Sequence, residues 1–289
     1  MTDLVPPHDS SPPDSSLSAS PGPSVSWARV VPLARPAGVI PDVPLAAMRH
    51  SGPPAWPVPT TRGKAAVDLL VFATFFIVAE LAVVILNLLP TTADPRWRQV
   101  AMSGAIGCAS LCACILIVFM RGHGAASIGW TGRHFFTNIA IGIGALILLY
   151  IACMALVLCI MLIMPELLAG PSTAQQAIEA VFPPMRPAWV VSMMFFVALW
   201  EEIAFRGLVL TRTFALLRRW WLAIPVASVI FGLPHYYQGP VAVVFTTILG
   251  AIMACLFVWR RSLVPAITLH WLHDVIFFLL LGSMSTTWE

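Results

Sequence analysis

Seven apolar runs, each of roughly 17 residues or more and so long enough to cross a bilayer as a helix, constrain this chain more than any other feature. They fall near residues 67–89, 100–120, 136–164, 189–211, 221–237, 241–258 and 264–282. Charged residues make up only 10% of the 289, apolar residues 59%, and the mean hydropathy is +0.87. That is too little charge to solvate the surface of an ordinary globular domain. The expected fold is all-α: a polytopic, multi-pass integral membrane bundle of about seven transmembrane helices, with membrane lipid as its first partner.

Residues 1–64 are different material. Fourteen of the 25 prolines fall there among many Ser and Ala, with no apolar run able to form a core. A disordered Pro/Ser/Ala-rich tail is expected over 1–64, and a transmembrane helical domain over 65–289. The N-terminus lacks the basic start, apolar core and small-residue cleavage site of a signal peptide, so insertion is expected to begin with the first span. The formal charge of +3 and the scattered arginines give no nucleic-acid footprint, and no nucleic-acid partner is expected. Counted over the connections, Arg62, Lys64, Arg121, Arg133, Arg212, Arg218, Arg219, Arg260 and Arg261 fall on one side. Arg96, Arg98 and Arg186 fall on the other. That bias places the N-terminal tail in the cytoplasm and the C-terminus outside. The six cysteines, Cys108, Cys112, Cys114, Cys153, Cys159 and Cys255, all lie within spans, where they read as small apolar residues rather than a disulfide framework. The oligomeric state is left open.

Ionisable residues inside a span are expensive, face the protein interior and mark function. Here they gather in the C-terminal half. "LWEEIAFRG" carries Glu201, Glu202 and Arg206, where Glu202 and Arg206 share a helical face by i, i+4 and Glu201 is rotated about 100° away. Glu202 is therefore the expected ion-pair partner, and Glu201 is left to face a cavity. "FGLPHYYQG" sets Phe231 four residues before His235, and Pro234 and Gly239 suggest a helix that breaks or ends and so can line a water-filled cavity. "LHWLHDVIF" puts His270 and Asp274 on one face, with His273 about 50° off it. Asp68 and Glu80, in the first span, are not assigned to this site.

A carboxylate, two imidazoles and a further acid supply the parts of general-base hydrolysis, with one group to activate water and others to stabilise an oxyanion. Ser228 and Ser262 sit in no Gly-x-Ser-x-Gly elbow, and "HWLHD" lacks the glutamate and spacing of a His-Glu-x-x-His zinc helix.

The order Glu-Glu-x-x-x-Arg, Phe-x-x-x-His and His-x-x-x-Asp across separate apolar spans resembles the CAAX protease and bacteriocin-processing family, also called the ABI family. The resemblance covers about residues 125–282, including the lead-in "ASIGWTGR". It implies an intramembrane endopeptidase acting on membrane-associated peptides, prenylated or bacteriocin-like, and, by its bacterial members, a bacterial cell membrane. In that picture Glu201 matches the water-activating base and His235 its partner in holding the water. His270 and Asp274 match the groups that stabilise the tetrahedral intermediate, while Glu202, Arg206 and Phe231 support the site. The family is often described as metalloproteases, yet its better-understood prenyl-protein members are similar to glutamate-dependent hydrolases without metal. The second reading is followed here, with no cofactor expected; in the zinc alternative Glu201, His235 and His270 would be the ligands. The prenyl-protein branch has Asn where this chain has Asp274, so this acid must be protonated to serve an oxyanion, or else orient His270.

Two other classes place similar residues in spans. A transporter or proton-relay protein should show paired inverted halves, which are not visible here because the polar set lies on one side of the midpoint. A non-catalytic immunity or scaffold membrane protein would tolerate loss of the motifs.

Overall fold

The computed structural model describes residues 56, 60–89, 94–164 and 186–284, apart from the side chains of Pro95 and residues 281–284, and all of these belong to one compact unit, 53–289. Apart from Trp56 and residues 60–64, the expected disordered tail lies outside the described residues. Every described element is a helix. In chain order these are α1 (Arg62–Leu88), α2 (Pro95–Met120), a 3-10 turn (Ala125–Ile128), α3 (Phe135–Ile163) and α4 (Pro187–Glu201). A π-helical segment (Glu202–Leu210), α5 (Thr211–Leu217), α6 (Trp220–Gly232), a second 3-10 segment (Leu233–Gln238), α7 (Pro240–Arg260) and α8 (Val264–Met284) follow.

Local sequence accounts for the helix ends. Thr61 caps α1 by accepting from the backbone N–H of Lys64, and Asp94 caps α2 by accepting from that of Arg96. Proline occupies the first turn of α2, α4 and α7, where its missing N–H costs nothing. Arg218 and Arg261 end α5 and α7 in the left-handed region. Gly129 ends the first 3-10 turn at φ 79°, and a Cβ there would collide with the Phe257 ring.

Five helices are long and apolar enough to cross a membrane, with Pro187–Leu217 running through α4, the π segment and α5 as one; Val264–Leu280 is a shorter apolar helix. The expectation of about seven such helices is corrected at 221–237. There the α-helix holds only 13 residues, about 20 Å against a core of about 30 Å. Gly232 lies too close to Thr247 and Val243 of α7 to carry a side chain, and Pro234 cannot donate the next helical hydrogen bond. The chain therefore continues as 3-10 structure to Gly239.

The outer faces of α1 and α3 are apolar and exposed, including Leu70, Val78 and Ile85 of α1 and Leu148, Ile151 and Leu162 of α3. Inside, small residues allow close helix approach. A Cβ on Gly142 of α3 would lie 2.6 Å from the Pro265 carbonyl oxygen of α8, and one on Gly107 of α2 would lie 2.8 Å from the Trp200 indole of α4. All six cysteines are free thiols.

Asp68, unexplained by sequence, is 2% exposed and tied to two helices. Its Oδ1 accepts from Arg121 at the end of α2, at 2.8 Å from Nε and 2.6 Å from Nη2. Its Oδ2 accepts from Arg212 Nε of α5 at 2.8 Å. Nearby Arg218 donates to the Thr60 carbonyl, Arg260 donates to Asn138, and Arg261 lies over Trp56, which stacks on Trp220. Several cations that the loop count assigned to one side thus share contacts at the ends of the helices.

Candidate active site

The site begins where α4 gives way to the π segment. A π-helix bonds i to i+5, is rare, and is often found at functional sites. Glu201 is the last residue of α4 and Glu202 the first of the wider turn. Within that turn Arg206 Nη1 still donates to Glu202 Oε1, at 2.7 Å, both residues being sealed from solvent. Arg206 also donates through Nη2 to the Gly250 carbonyl of α7 at 3.3 Å, and its guanidinium lies 4.1 Å over the Phe231 ring. The expected Glu202–Arg206 pair is present, and Phe231 packs against it.

α8 brings His270 and Asp274 to the same place. His270 Nδ1 lies 2.9 Å from Glu202 Oε1. An ionised carboxylate can only accept, so Nδ1 carries the proton and donates. That fixes the ring and turns Nε2 toward Glu201 Oε2 at 3.7 Å and Asp274 Oδ2 at 3.4 Å. Glu201 Oε2 is buried and receives no hydrogen bond. His235 stands at the break between α6 and α7. Its Nδ1 lies 3.2 Å from the Phe231 carbonyl, to which it must donate, leaving Nε2 free to accept when the ring is neutral. The Phe231 ring packs near both imidazoles, its centroid 5.4 Å from that of His235 and 6.1 Å from that of His270.

The structure thus collects Glu201, Glu202, Arg206, Phe231, His270 and Asp274, with His235 joined through Phe231. Two relationships escaped the sequence. Glu202 holds His270 as well as Arg206, and Tyr150 Oη of α3 lies 3.3 Å from His273 Nδ1. Neither has a spacing signal, because each joins helices remote in sequence.

Among the described residues no three His, Cys, Asp or Glu side chains are grouped to hold a metal ion.

Residues 183–276 match the family described as Type II CAAX prenyl endopeptidase Rce1-like. All seven site residues fall inside this match. It is the family that the motifs resemble, over a shorter stretch than the expected 125–282, and "ASIGWTGR" lies outside it. That lead-in nevertheless docks on the matched helices, since Gly129 accepts from the Leu263 N–H. No curated protein and no solved structure matches the chain.

Proposed function

We propose that this protein is an intramembrane endopeptidase that hydrolyses membrane-associated peptides with water activated by Glu201. The observation that carries the reading is the buried, unbonded Oε2 of Glu201 facing Nε2 of an imidazole whose orientation Glu202 fixes.

In this reading Glu201 takes a proton from water as the water oxygen bonds to the scissile carbonyl carbon. His235 Nε2 accepts the water's second hydrogen and holds the nucleophile in line. The carbonyl oxygen becomes an oxyanion that accepts from Nε2–H of His270 in its doubly protonated form, whose Nδ1–H stays on Glu202, and from Asp274 in its protonated form. Collapse of the intermediate breaks the C–N bond, and Glu201 returns its proton to the leaving amine. Glu202 and Arg206 neutralise one another and hold the helices in register. The substrate class is a prenylated or bacteriocin-like peptide reaching the site from the membrane, and no metal takes part in any step. The arginine-rich helix ends face the cytoplasm of a bacterial cell.

The test is cleavage of quenched-fluorescent lipopeptides by the purified protein in detergent, with Glu201→Gln as the control, followed by a comparison of membrane peptides from cells with and without the active enzyme. Equal cleavage by wild type and Glu201→Gln overturns the assignment.

A further inference from the structure

Around Asp68 the structure gathers more positive charge than one carboxylate balances. Both Asp68 oxygens are taken, by Arg121 and Arg212. Arg212 is 1% exposed, its Nη1 reaches Thr211 Oγ1 at 3.4 Å, and its Nη2 is buried without a hydrogen-bond partner. A buried N–H of a charged group left unbonded is uncommon and destabilising, and it calls for an explanation. A second orphan belongs to the same neighbourhood: Nδ1 of His123, in the turn that follows α2, is also buried and unbonded. Burial, and then the charge of Arg212, push the His123 pKa below the ordinary imidazole value, so at neutral pH the ring is uncharged and carries one N–H. Lys64, exposed in the first turn of α1, is tied to the group through its carbonyl, which accepts from Arg121 Nη2 at 3.2 Å.

These groups lie where α1 begins and α2 ends, the level at which a spanning helix meets headgroups. Arg212 is 11 residues beyond Glu201 on the continuous Pro187–Leu217 helix, about 16 Å along its axis. The proposed hydrolysis uses none of them. An orphan guanidinium N–H and an orphan imidazole nitrogen near a saturated carboxylate, with the exposed Lys64 at the same end of the bundle, suit an anionic acceptor. A phosphate group, with several acceptor oxygens, fits them best.

We propose that Arg212, His123 and Lys64 form a phosphate-binding site at the basic end of the bundle, occupied by an anionic phospholipid headgroup or by free phosphate. The proposal is independent of the catalytic reading, and binding rather than cleavage is its readout. Arg212 also holds Asp68, so its replacement would confuse binding with folding; the test instead uses the double variant Lys64→Gln/His123→Gln, which leaves both Asp68 ion pairs in place.

The thermal stability of the full-length protein in detergent is measured against inorganic phosphate and against short-chain phosphatidylglycerol. Short-chain phosphatidylcholine, and sodium chloride at matched ionic strength, are the controls. A saturable rise in melting temperature is expected, with an apparent affinity at least about tenfold weaker in the double variant, the loss appropriate to a charge-assisted hydrogen bond. Saturation by phosphatidylglycerol but not phosphate assigns the site to lipid, and the reverse assigns it to a soluble anion; both support the site. No saturable rise with either probe, an equal rise with chloride or phosphatidylcholine, or a double variant that binds like wild type overturns it.

Discussion

Glu202 Oε1 holds His270 Nδ1 at 2.9 Å and Arg206 Nη1 at 2.7 Å, so one oxygen aligns the imidazole of α8 and neutralises the guanidinium of its own helix. The two adjacent acids therefore differ in kind. Glu201→Gln should give a protein that melts close to wild type and does not cleave. Glu202→Ala leaves Arg206 as a buried unpaired charge and should lower stability by about 3–5 kcal/mol as well as abolish cleavage. Melting in detergent beside peptide cleavage separates them. A Glu202→Ala protein that melts like wild type would contradict the ion-pair role.

In the proposed mechanism Glu202 is the group that orients His270 and Asp274 donates to the oxyanion. Asp274→Asn should then retain substantial activity, while Asp274→Leu should lose on the order of a hundred- to a thousand-fold, as for other lost oxyanion donors. Chelators should leave the wild-type rate unchanged. Initial rates for the three proteins, with and without chelator, decide the matter, and a dead Asn variant combined with chelator sensitivity would revive the zinc alternative.

Gly142 controls how closely α3 approaches the helix carrying His270. Gly142→Ala forces a Cβ against the Pro265 carbonyl and Thr268, and should cost about 1–3 kcal/mol. Gly144→Ala, two residues on and facing open space, should be neutral or slightly stabilising. Melting temperatures of the two variants check this, and equal effects would show that α3 and α8 are packed otherwise.

Reporters inserted after Arg219 and after Arg261 should read on the same side, since those positions adjoin Trp220 and the Trp56 that stacks on it, and the arginine bias makes that side the cytoplasm. A reporter at the C-terminus should read as external. An external reading after Arg219 would reverse the orientation proposed from the arginine bias.

What a sequence repeats along one helix is legible in it. Glu202 with Arg206 and His270 with Asp274 could be paired by spacing, and the spacing put Glu201 on another face, where its Oε2 lies 3.7 Å from His270 Nε2 without a hydrogen bond. Which helix faces which is not written in a repeat. The bond from Glu202 to His270 joins residues 68 apart, and that from Arg212 to Asp68 joins residues 144 apart, so a charge in a span announces its need for a partner without naming it. Hydropathy also misjudged one end: apolar residues continue past Gly232, whereas Gly232, Pro234 and Gly239 decide where the α-helix stops. The π segment left no mark at all, since apolar periodicity does not distinguish one extra residue per turn.

The Asp68 tie bears on how far the matched stretch, 183–276, supports itself. Arg212 belongs to it, but the carboxylate that neutralises Arg212 belongs to α1; α8 belongs to it, but the glycine that admits α8 belongs to α3. Grafted onto a foreign scaffold, the stretch would bring all seven site residues and none of these outside supports. The candidate site is written in one contiguous passage of sequence, yet contacts that hold that passage in place come from helices that the family match does not reach.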